Sequence, residues 1–414
     1  MKSISLTFQI HQPLHLKAYH SSDICNDPNY YNDSENKNNI KEAANNWYLP
    51  TNQRLFDLLS KYKGSFKVAF SISGTALDQF CKYTPEVIES FKLLADTGMV
   101  EFITETYAHS LASLKDKDEF INQVKCHSEK IEELFGQKPS IFKNTELIYN
   151  DSIGSVLSEI GFKGVITEGA RSILKWRSPN HIYSNPGAPG LAILLRNVQL
   201  NYDIAYRLAN ADWTGWPRFK NNYLSMLNKI NDNEVLVNLF MDYDTVCQGQ
   251  LKATKSYNFL NSFPSAIFEM TDFSFMTPSE ICDSNKPLSE ISVPETISRG
   301  DNEGGDLSAW MKNDLQKEAL EKLYGLNDKI KLCTDPKLLK DWNYLQSTDH
   351  FYYMCSKFFS NKDISSFSNP YNNPYEAFMN YMNILSDFSY RINRSILYLK
   401  SDYIQKRHQM HLEI

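Results

Sequence analysis

Short apolar runs alternate with helical patterns over the first two thirds of the chain. Seven of these runs have strand character and end at polar residues, and they cover residues 3–10, 65–72, 100–104, 140–143, 162–167, 192–195 and 235–241. Amphipathic segments such as residues 85–96, 118–135 and 152–160 lie between them and predict helices. A strand followed by a helical crossover predicts a parallel sheet. Seven strands with polar carboxyl ends favour a barrel, because one ring brings all those ends together.

Two polar excursions and a change of pattern near residue 306 predict the domain organisation. Residues 20–46 are interpreted as a long polar loop over the barrel mouth, and residues 199–227 as a second insertion. The Asn, Ser, Pro and Gly content of residues 283–305 predicts a linker or a lid. Helical periodicity over residues 307–332, 338–359 and 375–406 predicts three long helices. We therefore expect a catalytic barrel over residues 1–282, a linker or lid over 283–305 and an α-helical bundle over 306–414.

Composition and charge narrow the classes of function. The net charge is -6 and no block of Lys and Arg is present, which argues against nucleic acid or an anionic membrane as partner. No apolar run is long enough to span a bilayer, and the amino terminus alternates like a strand rather than a signal peptide. The seven cysteines are scattered without a Cys-x-x-Cys pair. We expect a cytoplasmic protein, and the oligomeric state stays open.

Carboxylates at the predicted strand ends are the main candidates for chemistry, because barrel enzymes place reacting groups there. They are Glu105, Glu146, Glu168, Asp242 and Asp244. Glycosidic hydrolysis needs one ionised and one protonated carboxyl, and Glu105 and Asp242 can face each other across a barrel mouth. We expect apolar neighbours to keep Asp242 protonated. The alternative is that most of these acids hold loops in place by pairing with Arg171, Arg177, Arg196 or Arg207.

Two histidines that follow the first predicted strand suggest a second possible class of function, that of the metal-dependent barrel hydrolases and deacetylases. His11 and His15 have the spacing of a helical zinc pair. However, Pro13 stands between them and a strand precedes them, so the rings need not share a helical face. We therefore expect no metal or other cofactor, with His11 as a neutral hydrogen-bonding group in the mouth. His109, four residues after Glu105, is expected to orient a ligand hydroxyl or to bind a loop carbonyl.

Five segments, in order, resemble the signature regions of glycoside hydrolase family fifty-seven, and within it the α-amylase-type branch. They are residues 8–13 (Phe-Gln-Ile-His-Gln-Pro), 73–79 (Ser-Gly-Thr-Ala-Leu-Asp-Gln), 104–111 (Thr-Glu-Thr-Tyr-Ala-His-Ser-Leu), 240–245 (Phe-Met-Asp-Tyr-Asp-Thr) and 306–310 (Asp-Leu-Ser-Ala-Trp). Residues 144–149, 176–180 and 349–354 are similar to further stretches of that branch.

The resemblance implies an incomplete seven-stranded (β/α) barrel followed by a helical bundle, acting with retention on an α-glucan or maltooligosaccharide. Carried over by position, Glu105 matches the nucleophile and Asp242 the general acid/base. His11 matches a sugar-contacting histidine, and Trp310 belongs to the region that closes the site from the bundle side. The other expected substrate contacts are Gln12, His109, Trp213 and Asp244.

The chain departs from the branch beside the expected proton donor. The usual Tyr-Glu-Thr-Phe-Gly-Glu-His is replaced at residues 243–249 by Tyr-Asp-Thr-Val-Cys-Gln-Gly, and Lys312 replaces a usual Gly in the fifth region. The first change removes a Glu and a His. Three functions remain open: hydrolysis of α-1,4 bonds, transfer by a 4-α-glucanotransferase, and glucan binding with little or no turnover.

Overall fold

The computed structural model describes residues 2–209, 216–251, 256–299, 306–356 and 369–412, although the side chains of 205–209, 216–220, 248–251, 256–259, 261 and 400–412 lie outside the description. The chain divides into two compact units. The first comprises Met1–Gln12, Asn36–His109 and Phe120–Asp306, and the second comprises Pro13–Glu35, Ser110–Glu119 and Leu307–Ile414.

The strands of the described residues all lie in the first unit. They are β1 (Lys2–Ile10), β2 (Val68–Ile72), β3 (Val100–Ile103), β4 (Ile141–Lys143), β5 (Gly164–Glu168), β6 (Ile182–Asn185), β7 (Ala188–Arg196), β8 (Leu236–Asp242), β9 (Phe273–Phe275) and β10 (Ser289–Glu290). Seven of them match the seven predicted strands, with ends that differ by up to four residues. The predicted α/β class is confirmed, whereas β6, β9 and β10 were not predicted.

The helices, in chain order, are α1 (Asp33–Ala43), α2 (Leu49–Lys61), α3 (Gly74–Tyr83), α4 (Pro85–Asp96), α5 (Ala112–Lys115), α6 (Lys117–Phe135), α7 (Asp151–Glu159), α8 (Arg171–Leu174), α9 (Val198–Ala209), α10 (Trp216–Asn228), α11 (Tyr243–Leu251), α12 (Ser256–Met270), α13 (Pro278–Ser284), α14 (Ser308–Met311), α15 (Asp314–Tyr324), α16 (Asn327–Ile330), α17 (Pro336–Leu345), α18 (Thr348–Tyr352) and α19 (Pro374–Leu412). A π-helical turn covers Ala44–Tyr48, and 3₁₀ turns cover Ser21–Asp23 and Thr145–Leu147. None of the helices in the described ranges combines the length and the apolar character needed to cross a membrane.

Parallel pairing connects β1 to its neighbours on both sides. Gln9 of β1 lies opposite Ser71 of β2 and opposite Asp242 of β8. β2 continues the parallel pairing to β3. Because the register aligns these strands at their carboxyl ends, residues that follow β3 and β8 emerge on the same rim of the sheet.

The pairing continues until the sheet closes on itself. β3 meets β4 at a parallel bridge between Thr104 and Phe142, β4 pairs with β5, and β5 pairs with β7. β7 then meets β8 at Arg196 and Asn238. Among the described residues, the ring therefore contains seven parallel strands: β1, β2, β3, β4, β5, β7 and β8.

The sequence of β1 alternates between apolar and polar residues, so one face of the strand packs against the helices and the other face lines the inside of the barrel. Its apolar residues join the cluster that packs with the surrounding helices, and they are Ile4, Leu6, Phe8 and Ile10. The alternate polar residues Ser5, Thr7 and Gln9 are also buried and face the other side of the strand. The polar face of the strand therefore leads into the barrel, towards the rim at its carboxyl end.

The two segments predicted to interrupt the strand and helix repeat both contain helices. Residues 20–46, predicted as a polar loop, contain a 3₁₀ turn and α1, followed by the π-helical turn. The prediction was wrong because Ile40, Ala43 and Ala44 supply a sparse buried stripe at helical spacing within an Asn-rich sequence. The insertion predicted at residues 199–227 is formed by α9 and α10 in its described part.

The second unit is helical, as predicted, but the three long helices are not all continuous. Only the last forms one long helix, α19. The first is broken into α14, α15 and α16, and the second into α17 and α18. Asn313 starts a new helix by accepting a hydrogen bond from the backbone of Gln316, which shows how one capping residue interrupts an apolar periodicity.

The described part of the predicted linker or lid packs on the first unit. β10 pairs with β6, and Ile291 and Val293 are fully buried. Tyr149 and Ile297 exchange two backbone hydrogen bonds. Residues 283–299 are therefore held along the barrel, while the predicted domain boundaries at 282 and 306 stay predictions.

Candidate active site

Glu105 follows the end of β3 and is fully buried. Lys143, at the end of β4, donates from Nζ to Glu105 Oε2 at 2.9 Å. Ser71 donates from Oγ to Glu105 Oε1 at 3.1 Å. Burial raises the pKa of Glu105, but the charge of Lys143 and the hydrogen bond from His109 outweigh it and hold the pKa well below its ordinary value. Glu105 is therefore a fixed carboxylate, which is the form that a nucleophile requires.

His109 lies between two carboxylates. Its Nδ1 is 2.9 Å from Glu105 Oε2, and its Nε2 is 3.2 Å from Glu146 Oε1. Burial lowers the pKa of His109, but the two carboxylates raise it to about 9. Both ring nitrogens therefore carry protons and donate to these carboxylates. Both ring nitrogens contact acidic side chains, so the expected bond to a loop carbonyl was wrong, while the expected role of His109 towards a ligand hydroxyl stays a prediction.

The ring of His11 stacks on the ring of His109. The ring centroids are 4.1 Å apart and the planes differ by 17°. Nδ1 of His11 is 2.8 Å from the Ser73 hydroxyl. Residues from the first three signature segments are therefore in contact at this rim.

Asp242 ends β8 and forms an ion pair with Arg299. The guanidinium donates two hydrogen bonds to the Asp242 carboxylate, at 2.9 and 2.5 Å. Burial raises the pKa of Asp242, but Arg299 outweighs it and the pKa is lowered. The expectation that apolar neighbours keep Asp242 protonated was wrong. Met241 and Tyr243 belong to the outer core cluster, so they do not surround the carboxyl group.

The partner of Asp242 comes from the segment that was predicted as a linker or lid. Arg299 is anchored there by its backbone N–H, which donates to the carbonyl of Glu146 at 2.7 Å. The alternative of structural arginine pairing is confirmed for Glu168, which accepts two hydrogen bonds from Arg196 at 3.0 and 2.6 Å. Neither Lys143 nor Arg299 was predicted, although a lysine within the apolar β4 sequence Ile-Phe-Lys was itself a signal.

Asp244 is the acidic member of a second hydrogen-bonded cluster, together with Gln12 and Tyr48. The Tyr48 hydroxyl donates to Asp244 Oδ1 at 2.7 Å, and Gln12 Nε2 donates to Asp244 Oδ2 at 3.0 Å. Burial raises the pKa of Asp244 to about 7, with a further contribution from Asp242. The raised carboxyl pKa at this rim thus belongs to Asp244 rather than to Asp242.

The model of Glycosyl hydrolase family 57 matches residues 5–294. The chain belongs to this family. It is 36% identical over 412 residues to a Methanocaldococcus jannaschii protein named "Putative alpha-amylase", with 97% of this chain and 86% of that protein covered.

Two solved structures share the fold. The family 57 branching enzyme of Thermococcus kodakaraensis has a TM-score of 0.70 at 13% identity, covering 94% of this chain and 90% of that one. The 4-alpha-glucanotransferase of Thermococcus litoralis has a TM-score of 0.56 at 16% identity and covers 86% of this chain. This family 57 chain spans about half the length of that transferase, 51%.

The remaining residues singled out in the sequence of this family 57 member are Trp213, Trp310 and His15. Trp213 lies outside the described residues. Trp310 belongs to the second unit, where it is buried in α14 at 6.5 Å from the Tyr352 ring. His15, also in the second unit, pairs through Nδ1 with Glu35 at 3.0 Å. The roles expected for Trp213 and Trp310 stay predictions.

The altered segment after Asp242 begins in the core. Val246 and Cys247 are fully buried, and burial raises the pKa of the Cys247 thiol well above its ordinary value. The thiol is therefore protonated, and Cys247 packs within the apolar core cluster. The side chains of residues 248 and 249 lie outside the description.

Proposed function

We propose that this family 57 member is a retaining α-glucan hydrolase that cleaves α-1,4-glucosidic bonds, with Glu105 as nucleophile and Asp242 as general acid/base. The observation that carries the proposal is the fully buried Glu105 carboxylate, held ionised by Lys143 and His109 at the rim where β8 also ends. A group with this charge suits attack on a developing oxocarbenium centre. The α-amylase name of the 36% identical relative supports the same substrate class.

The first step forms a covalent glycosyl-enzyme. An oxygen of Glu105 bonds to the anomeric carbon while the glycosidic C–O bond breaks, and the leaving oxygen takes a proton from Asp242. In the second step Asp242 removes a proton from a water molecule, whose oxygen bonds to the anomeric carbon as the bond to Glu105 breaks. Two inversions give net retention.

Asp242 must gain a proton before it can serve in the first step. Arg299 keeps it ionised in the structure, so the Arg299 pair has to open before Asp242 can act as an acid. Displacement of the guanidinium leaves a half-buried carboxyl group without its cation, which favours the neutral form. Substrate binding and protonation of the acid are therefore coupled in this mechanism.

The test uses purified protein and maltoheptaose, with reducing ends and chain lengths followed over time. We expect Glu105→Gln and Asp242→Asn to lose several orders of magnitude in kcat. Glu101→Gln is the matched control, because Glu101 lies near the other end of β3, where its Oε2 accepts from Ser279 N at 2.9 Å. NMR of the first product anomer reports retention. Equal inactivity of the wild type and Glu105→Gln overturns the enzyme assignment.

Two alternatives use the same site. A 4-α-glucanotransferase redistributes maltoheptaose chain lengths without a matching rise in reducing ends. A glucan-binding protein binds glycogen but turns over neither substrate, and the Arg299–Asp242 pair is the observation that favours it, since it deprives the acid of its proton. The reducing-end and chain-length measurements separate the three.

A further inference from the structure

Glu146 has an unusual backbone in a part of the rim that the mechanism above leaves unused. Its φ is 48° and that of Leu147 is 55°, so two consecutive residues with side chains adopt left-handed conformations. Such residues are costly unless the surroundings fix them, and they concentrate at functional sites. His109, which contacts Glu146, is also left-handed, with a φ of 52°.

The turn around Glu146 is fixed by hydrogen bonds on both sides. Asn144 Oδ1 accepts from the backbone N–H of Thr145 at 3.0 Å, and Asn144 Nδ2 donates to the Ile148 carbonyl at 3.0 Å. The hydroxyl of Thr167 donates to the Leu147 carbonyl at 2.8 Å. These hydrogen bonds hold the left-handed backbone of the turn and so fix the direction of the Glu146 side chain.

Glu146 contacts the supports of both candidate catalytic carboxylates. Its side chain accepts from His109, whose other nitrogen donates to Glu105. Its backbone carbonyl accepts from Arg299, whose guanidinium holds Asp242. Burial raises the pKa of Glu146, but the hydrogen bond from His109 outweighs it and lowers the pKa, so Glu146 is an anion at neutral pH.

We propose that Glu146 is a positioning residue that acts through His109 to keep the Glu105 carboxylate charged and oriented for attack. The proposal rests on the proposed function, because it assumes that Glu105 is the nucleophile. The Glu146 carboxylate at Nε2 and the Glu105 carboxylate at Nδ1 together keep His109 protonated. The resulting imidazolium donates to Glu105 and adds positive charge beside it. Without the charge of Glu146, the ring can lose a proton and this support weakens.

Among the described residues, two carboxylates, one lysine and one histidine lie around His109. Glu105 follows β3, Glu146 follows β4, Lys143 ends β4 and His11 follows β1. Lys143 opposes protonation of His109, so the two carboxylates have to outweigh both Lys143 and burial. Removing one of two stabilising anions should therefore change the titration of His109 measurably.

The experiment compares Glu146→Gln with the control Glu101→Gln in the full-length protein. Glutamine keeps an oxygen acceptor for Nε2 but removes the charge. Glu101 is a half-buried acidic residue whose side chain accepts from the backbone of Ser279 rather than from His109. Histidine ring nitrogens are labelled with ¹⁵N, and the His109 signal is assigned by its loss in His109→Gln. We expect the titration midpoint of His109 to fall from about 9 towards 6.5 in Glu146→Gln and to stay in place in Glu101→Gln.

Kinetics with maltoheptaose give the second readout. We expect kcat of Glu146→Gln to fall about tenfold to a hundredfold with little change in KM, and Glu146→Asp to recover part of it. An unchanged His109 midpoint in Glu146→Gln, or a kcat equal to that of Glu101→Gln, overturns the inference. If the wild type is inert towards glucans, the proposed function and the positioning of a nucleophile fail together, while the His109 titration still decides whether Glu146 holds the imidazolium.

Discussion

Removing Lys143 tests whether the Glu105 charge is held as the structure indicates. Lys143 and Glu105 are both completely buried, and their ion pair measures 2.9 Å. Lys143→Met keeps the length of the side chain but leaves a buried carboxylate without its cation. Breaking such a pair costs about 3–5 kcal/mol of unfolding free energy, and the remaining hydrogen bonds from His109 and Ser71 place the expected loss near the lower end, about 3 kcal/mol.

The expected loss depends on pH with a definite sign. Since the pKa of Glu105 is lowered in the folded protein, its ion pairing contributes stability above the unfolded pKa near 4.5, and this is lost as pH falls through the folded pKa. Lys143→Met raises the folded pKa. The difference in stability between wild type and variant should therefore be largest at neutral pH and shrink as the pH approaches 4.

Urea unfolding of matched variants measures this effect. The control is Lys163→Met, because Lys163 forms an ion pair of similar length with Asp283, 2.8 Å, at 52% and 58% side-chain exposure. We expect the control to keep its urea midpoint almost unchanged, since exposed pairs contribute little. The double variant Lys143→Met with Glu105→Gln should recover much of the lost stability. Equal midpoints for Lys143→Met and Lys163→Met would refute the reasoning.

Two further variants test the acid side of the rim. Arg299→Gln removes the group that lowers the pKa of Asp242, so the pH at which kcat/KM on maltoheptaose declines on the alkaline side should rise. An unchanged alkaline decline would contradict the effect of Arg299 on the pKa of Asp242. Asp244 has a raised pKa of about 7 against 3.8 for a free side chain, so its folded form binds the proton more tightly and wild-type stability falls as pH rises between these values. Asp244→Asn should remove this slope, so that its unfolding free energy relative to wild type is higher at pH 7 than at pH 4; parallel pH profiles would show that Asp244 does not titrate there.

The seven strands of the ring could be predicted because each is a short apolar segment that ends at polar residues. In β1 the alternation was visible in the sequence, and in β8 a run of apolar residues ended at Asp242. The helix over residues 33–43 was missed because its buried stripe is thin and its other positions are polar. Secondary structure that depends on few apolar contacts is therefore the part that local sequence predicts least well.

The positions of Glu105 and Asp242 at strand ends could be predicted from the sequence, but the charge states of the two carboxyl groups could not. Glu105 is paired with a residue 38 positions later, and Asp242 with one 57 positions later. Only the closed ring and the packed segment at 283–299 bring these partners together. The apolar residues next to Asp242 in sequence point to the opposite face of β8, because side chains alternate along a strand. They therefore do not determine the environment of the Asp242 carboxyl group.

The two ion pairs differ in exposure, and this difference bears on the roles proposed for the two carboxylates. The Lys143–Glu105 pair has no solvent-exposed side-chain surface, whereas Arg299 and Asp242 are 25% and 36% exposed. Opening the first pair would leave two buried charges, which opposes any change in the protonation of Glu105 during turnover. The second pair is partly screened by water and can be opened by a bound sugar at lower cost. The proposed retaining mechanism needs one carboxyl group with a constant charge and one that exchanges a proton, and this difference in burial suits Glu105 to the first role and Asp242 to the second.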